Sequence, residues 1–270
     1  MRITYVGHAT LLIQIAGVTV LTDPNFDDAL GFALGSRLRR VSAPGIALDR
    51  LPRLDLVLVT HAHVDHLSLA SLARLPQEVP VWAPPAVARW LVGKGFQQTR
   101  AIAPGETMTL GAAAEAGAAP PVSVHAEAAT HVGSRYGVDR WRAEANMYLI
   151  VSGEHSAFFA GDTGLTESTH RLAERVLREA KRTLDVALLP IGHPPRWKRK
   201  SFRAGHLTFE DALELFHRLG ARYFVPYHWG TFNHLTSGAH DAIERLRAHL
   251  PGHARREDVR ILEPGQVLEI

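Results

Sequence analysis

Apolar and polar positions fall into two similar blocks along the chain. In the first, Thr10 to Ala16 and Val18 to Thr22 are short apolar runs around Gly17, the pattern of a hairpin closing at Asp23-Pro24. In the second, Asn146 to Val151 and Ser156 to Ala160 are joined at Gly153-Glu154 and end at Gly161-Asp162-Thr163-Gly164. A helical or irregular stretch follows each hairpin. Then comes a run apolar enough for a buried strand, Leu54 to Thr60 in the first block and Leu184 to Pro190 in the second. Both runs lead into loops that carry histidine, His61 and His193. The parallel predicts a single domain over 1–270, built of two similar βα halves that present polar loops along one edge.

Helices are predicted at Ser68 to Leu75, Pro85 to Val92, Leu165 to Arg182, Thr208 to Leu219 and Gly238 to Leu250. Leu165, Leu172, Val176 and Leu177 lie near helical spacing. Thr208 is placed to cap the fourth helix, with Glu210 and Asp211 in its first turn. Strands interleaved with helices imply an α/β fold of two sheets covered outside by helices. Gly111 to Pro121, rich in Ala, Gly and Pro, reads as a surface loop.

Composition narrows the chemistry. At 270 residues and 46% hydrophobic, the chain is long enough to bury a substantial core. It has no cysteine, so every metal ligand must be His, Asp or Glu. Met1 to Val6 enters an alternating strand pattern at once, unlike a signal peptide. No apolar segment reaches the ~20 residues a membrane-spanning helix needs, and the expected location is the cytoplasm. The formal net charge of +3 permits an anionic substrate without selecting one.

His61-Ala62-His63-Val64-Asp65-His66 places three imidazoles and a carboxylate directly behind a buried strand. Imidazole and carboxylate suit zinc, with iron, manganese or nickel as alternatives. Four candidate ligands exceed what one catalytic ion takes from a single segment, because such a site keeps a position open for water. The run therefore points to two divalent ions. Three further residues sit at strand ends where they could complete the site. These are His131 after Val122 to Ala128, Asp162 between glycines after Ser156 to Ala160, and His228 after Tyr223-Phe224-Val225.

His-x-His-x-Asp-His followed by His131, Asp162 and His228 resembles the metallo-β-lactamase fold superfamily, whose members are four-layer αββα sandwiches with a two-metal site between the sheets. Gly7-His8-Ala9-Thr10, Leu21-Thr22-Asp23-Pro24, Gly161-Asp162-Thr163-Gly164, Pro190-Ile191-Gly192 with Pro195-Arg196-Trp197, and His228-Trp229-Gly230-Thr231-Phe232 narrow the likeness. They resemble the branch containing N-acyl-phosphatidylethanolamine-hydrolysing phospholipase D and its bacterial relatives. The resemblance implies that His61, His63 and His131 bind one metal, that Asp65, His66 and His228 bind the other, and that Asp162 bridges them. His206, in Gly205-His206-Leu207-Thr208, matches a further active-site histidine that precedes a helix. Asp65, Asp162 and His206 are the expected catalytic set. His193 departs from the branch, whose members carry a small or aromatic residue there.

Two divalent ions a few ångström apart share a water and lower its pKa from 15.7 to about 7. The bridging hydroxide would attack phosphorus or a carbonyl carbon, and His206 would orient the substrate or protonate the leaving group. Asp23 and His8, at the ends of the first strands, are candidates to support the ligands, Asp23 as a carboxylate that can accept the free N–H of a metal-bound imidazole; the alternative for His8 is to hold the loop together. Arg196 to Arg203 gathers five cations and two aromatics in eight residues, a candidate anion-binding segment. His155, His170, His217, His249 and His253 show no ligand spacing and read as surface residues.

The expected function is hydrolysis of phosphodiesters, phospholipase D-like, on a small-molecule or lipid phosphoester, with peripheral membrane contact compatible. A lactonase of the ascorbate-6-phosphate lactonase type and an RNA or DNA nuclease are the competing enzymes. A non-catalytic metal- or nucleic-acid-binding module is the contrasting class. The full ligand set argues against it, since a degenerate site loses ligands first.

Overall fold

A computed structural model describes residues 1–31, 37–111, 120–135, 143–179, 181–192, 204–233 and 238–270. Within them the chain runs through β1 (Arg2–Gly7), β2 (Thr10–Ile15), β3 (Val18–Thr22), a ribbon of β4 (Ala29–Gly31) and β5 (Arg37–Arg39), β6 (Leu56–Leu58), α1 (Leu69–Arg74), β7 (Val81–Ala83), α2 (Pro85–Gly93) and β8 (Thr99–Ala101). It continues through β9 (Thr107–Leu110), β10 (Val122–Ala128), β11 (Asn146–Ser152), β12 (His155–Phe159), α3 (Arg171–Glu179), β13 (Val186–Pro190), α4 (Phe209–Leu219), β14 (Tyr223–Tyr227), α5 (Asp241–His249) and β15 (Val267–Glu269). One sheet has the order β15-β1-β2-β3-β6-β7-β8 and the other β14-β13-β12-β11-β10-β9.

Both expected hairpins form. Ile15 pairs with Val18 across Ala16-Gly17, whose φ angles of 49° and 80° suit a two-residue turn that follows the strand twist. Ser152 pairs with His155 across Gly153-Glu154, with Gly153 at φ 52°.

Alternation along β6 explains the layers. Val57 faces a cluster shared with Leu72 of α1 and Val87 and Leu91 of α2, on the outside of the first sheet. Leu56 and Leu58 face the core between the sheets, against Val124, Leu149 and Phe158, and that core runs on through the second sheet to Leu172, Phe216 and Ile243 of α3, α4 and α5. The result is the expected helix–sheet–sheet–helix sandwich. Strands buried on both faces read as unbroken apolar runs, which is why 56–59 shows no alternation.

Among the elements shorter than the periodicity predicts, two have a visible cause. β6 stops at Leu58 although Val59 N–H still donates to the Trp82 carbonyl of β7, because the next amide turns aside: Thr60 N–H donates to Asp23 Oδ1. α3 begins at Arg171 because Thr166 and Thr169 tie up the preceding turn; Thr166 N–H donates to Thr169 Oγ1, whose hydroxyl donates to the Gly164 carbonyl. α4 starts as predicted, in a reciprocal capping box between Thr208 and Asp211.

Strand direction decides where function can sit. β3, β6, β7 and β8 are mutually parallel, and β1 is parallel to β3 because each is antiparallel to β2. In the second sheet β12, β13 and β14 are parallel, and β10 shares their direction through β11. The C-terminal ends of β1, β3, β6, β10, β12 and β14 therefore deliver His8, Asp23, the 61–66 run, His131, Asp162 and His228 to strand ends where an α/β fold binds ligands. His193, Arg196 to Arg203 and most of Gly111 to Pro121 lie outside the described residues. Among the described residues, no helix is long and apolar enough to cross a membrane.

Candidate metal centre

The 61–66 run is held by its own backbone and by two clamps. His66 and Leu67 N–H both donate to the His63 carbonyl, turning the loop back on itself. The Asn25 side-chain amide donates to the carbonyls of Val64 (3.0 Å) and Asp65 (3.2 Å), and Arg135 Nη1 donates to those of Ala62 (3.2 Å) and Leu67 (2.7 Å). Neither clamp was foreseen, because nothing local marks a residue that serves distant carbonyls. His8, Asp23 and His228 take left-handed backbone angles, φ 56°, 35° and 68°. Such conformations cost about 1–3 kcal/mol in non-glycine residues and persist where the surroundings over-determine them.

These strand ends bring two groups of side chains together. His61, His63, His131 and Asp162 have one candidate ligand atom each within 4.8 Å of one another, and so do His8, Asp65, His66 and His228. His61 Nε2 and His131 Nε2 lie 3.0 and 3.2 Å from His63 Nδ1. His66 Nε2 lies 3.8 Å from Asp65 Oδ2 and 3.4 Å from Asp162 Oδ1, and His228 Nε2 lies 3.4 and 3.5 Å from the same two oxygens. Asp162 thus reaches both groups. It follows Gly161, whose φ of 58° and 2.8 Å clearance from Thr60 leave no room for a Cβ.

Contacts behind the imidazoles fix their tautomers. Asp23 is wholly buried and accepts from Thr60 N–H (2.7 Å), Thr60 Oγ1–H (2.6 Å) and His66 Nδ1–H (2.7 Å). Having given its only proton to Asp23, the Thr60 hydroxyl accepts from His61 Nδ1–H at 3.0 Å. His131 Nδ1–H donates to the Gly205 carbonyl at 2.8 Å. His61 and His131 therefore present unprotonated Nε2 atoms to the cluster, the state that ligates metal, and His66 presents its own Nε2 once a cation displaces the proton there.

The donors fit divalent cations. Bare imidazole nitrogens 3.0–3.2 Å from a third nitrogen cannot all be satisfied by hydrogen bonds. Among the described residues, His66 Nε2 and His228 Nε2 are buried without a hydrogen-bond partner. Two ligand atoms each ~2.0–2.2 Å from one tetrahedral cation stand roughly 3.3–3.6 Å apart, close to the spacings around Asp65 and Asp162. A set of imidazole and carboxylate with no thiolate suits zinc or a neighbouring first-row ion.

Charge divides the two groups in the metal-free protein. Burial, reinforced by neighbouring imidazoles, holds His61 well below its ordinary 6.5; burial takes His131 to about 3 and also lowers His63. Burial acts the same way on His66 and His228, but Asp162 and Asp65 outweigh it and raise both. Burial would lift Asp65 and Asp162, yet the imidazoles around them hold both well below the carboxylate range. Burial takes His8 to about 3.

Every described residue singled out for the site lies at this edge. His206 stands at its rim, with Nε2 3.7 Å from Asp162 Oδ2 and its ring 4.8 Å from that of His131. Asp23 lies behind His66, as a supporting carboxylate should. His8, a candidate for support from its place at a strand end, goes further and joins the second group itself. Of the histidines read as surface residues, His217 of α4 and His253, in the segment after α5, meet at 3.1 Å, away from the cluster.

A family model described as "Beta-lactamase superfamily domain" matches residues 18–229. The chain is 27% identical over 234 residues to N-acyl-phosphatidylethanolamine-hydrolyzing phospholipase D 1 of Caenorhabditis elegans, covering 85% of this chain and 64% of that protein, so it spans less than two thirds of that relative's length. It is 29% identical over 274 residues to a UPF0173 metal-dependent hydrolase of Anaeromyxobacter sp. (strain K), covering 98% of this chain and 85% of that one. Among solved structures, the isothiocyanate hydrolase from Delia radicum gut bacteria superposes with a TM-score of 0.74 over 100% of this chain and 99% of that one, at 19% identity, a likeness of fold. The four-layer sandwich is the metallo-β-lactamase fold.

Proposed function

We propose that this chain, which belongs to the beta-lactamase superfamily and is a metal-dependent hydrolase of that superfamily, cleaves phosphodiester bonds in the manner of a phospholipase D. The observation that carries the reading is the convergence, on one edge of the sandwich, of two four-residue His/Asp groups that share Asp162 as a neighbour. In this reading His61, His63 and His131 hold one divalent cation, Asp65, His66 and His228 hold a second, and Asp162 serves both. Bound there, zinc or manganese, iron or nickel would supply hydroxide at neutral pH and stabilise the charge that develops on phosphorus oxygens.

The chain's own residues do the rest. Asp23 and Thr60 keep the imidazoles in the ligating tautomer. His206, at the rim, orients the substrate or returns a proton to the leaving alkoxide oxygen. A relative named for hydrolysing N-acyl-phosphatidylethanolamine favours a lipid phosphoester over a soluble one, and with it contact with a membrane surface.

Metal-analysed protein assayed on bis(p-nitrophenyl) phosphate, N-acyl-phosphatidylethanolamine vesicles, a homoserine lactone and single-stranded RNA tests the reading. Phosphodiester and lipid cleavage that Asp162→Asn abolishes, with the fold retained, supports it. Turnover of the lactone alone would replace it with a lactonase, and of RNA alone with a nuclease.

A further inference from the structure

His8 is the member of the second group that the ligand assignment leaves without a task. Its ring is buried between His228, at 3.9 Å between centroids, and the edge of Phe232, at 5.3 Å; Phe232 carries the Arg40 guanidinium on its face at 4.9 Å. The His8 carbonyl accepts from His228 N–H at 3.0 Å, so the two residues are tied through backbone as well as ring.

Distances separate His8 from its neighbours. His66 Nε2 and His228 Nε2 stand 3.8 and 3.4 Å from Asp65 Oδ2, near the separation of two ligands on one cation and longer than the hydrogen bond to His8. His8 Nε2 stands 3.0 Å from the same oxygen, at hydrogen-bond length. We propose that His8 is a positioning residue: its Nε2–H donates to Asp65 Oδ2, fixes the carboxylate rotamer and occupies one of its lone pairs, so that Asp65 offers the remaining lone pairs to the cation held with His66 and His228. The left-handed backbone at His8 belongs to the same device, since φ 56° turns the chain off the end of β1 and carries the ring to Asp65. The proposal rests on the reading of Asp65, His66 and His228 as a cation site.

The consequence is an asymmetry between the two cations. Losing a contact that orients a ligand lowers metal affinity roughly 10–100-fold, and here the loss falls on one cation. The test uses the full chain, with zinc stoichiometry by elemental analysis, zinc affinity by competition with a chromophoric chelator, and the visible spectrum of the cobalt-loaded protein. Wild type is expected to hold two cations per chain. His8→Ala and His8→Gly are expected to keep one and to bind the other roughly 10–100-fold more weakly, with loss of one set of cobalt bands. His8→Gln, whose amide N–H reaches the position of Nε2, is expected to recover the second.

His8→Gly isolates the side chain, because glycine takes φ 56° without strain. If it binds both cations as wild type does, His8 matters only as a backbone turn and the proposal falls. If His8→Gln binds no better than His8→Gly, a donor to Asp65 is not what His8 provides, and the proposal falls again; this comparison stands even where His8→Ala fails to fold. Wild type that takes up no cation under any condition would overturn the metal-site reading itself, a failure distinct from both.

Discussion

The Asp23 carboxylate and the His66 imidazole, 43 residues apart in the chain, meet at 2.7 Å with neither side chain exposed. The same carboxylate reaches His61 through the Thr60 hydroxyl, so one buried acceptor orients an imidazole in each group. Asp23→Asn replaces an all-acceptor group with one that also brings donors to face three others. It is expected to lower affinity for both cations roughly 10–100-fold and to reduce turnover in proportion to lost metal. Thr60→Val, which removes only the relay to His61, is expected to weaken the cation at His61, His63 and His131 alone. Elemental analysis and chelator competition distinguish the two patterns.

Asn25 uses its whole amide. It donates to the Val64 and Asp65 carbonyls and accepts from Asp27 N–H at 3.1 Å, in a buried setting. Asn25→Ala strands these partners and is expected to cost about 2–3 kcal/mol of stability, read from urea denaturation of the metal-free protein. Saturating zinc should recover part of the loss, because a ligand that binds only the native state stabilises it.

Gly161 marks a close approach between loops from the two sheets. A Cβ there would lie 2.8 Å from Thr60 Cβ, and its φ is 58°. Gly161→Ala is expected to destabilise by about 2–4 kcal/mol and to shift Asp162 out of reach of one group. The expected signature is a lower Tm together with one bound cation instead of two.

The opposed charge states of the two groups set a pH dependence. His8 and His131 are held at about 3 and His61 well below 6.5, so between those values and 6.5 the unfolded chain binds more protons than the native one. Stability they contribute is complete above 6.5 and is lost as pH falls through that window. Asp65 and Asp162, held low, add a loss of the same sign below 3.8. His66 and His228, raised, contribute stability below 6.5 that is lost as pH rises through their native values. The metal-free protein should therefore melt at falling temperature on acidification from pH 6.5 to 4. At neutral pH one equivalent of zinc should bind without releasing protons, at His61, His63 and His131. The other should displace protons from His66 and His228, measurable by titration in weakly buffered solution.

Much of this was legible before any coordinates. The hairpins around Gly17 and Gly153, the Thr208 cap and the run from His61 to His66 follow from turn residues, capping chemistry and ligand spacing, all of which act within a few residues. Periodicity misled at the ends of elements: it overran β6 because Asp23, just past the end of β3, takes the Thr60 amide, and it overran α3 because threonine hydroxyls compete with helix hydrogen bonds. The left-handed angles at His8 and Asp23 have no glycine to announce them.

The sequence by itself determined the alternation that makes two sheets, the hairpins that start each half, and a set of imidazoles and carboxylates at the ends of apolar runs. Only the tertiary structure decided which of these meet. Strand direction gathers β1, β3, β6, β10, β12 and β14 at one edge, and contacts such as His8 with Asp65, 57 residues apart, follow from sheet order and packing rather than from local pattern. Local chemistry fixes each element, but the distance between elements is set by the core they share, and no short stretch of sequence carries that information.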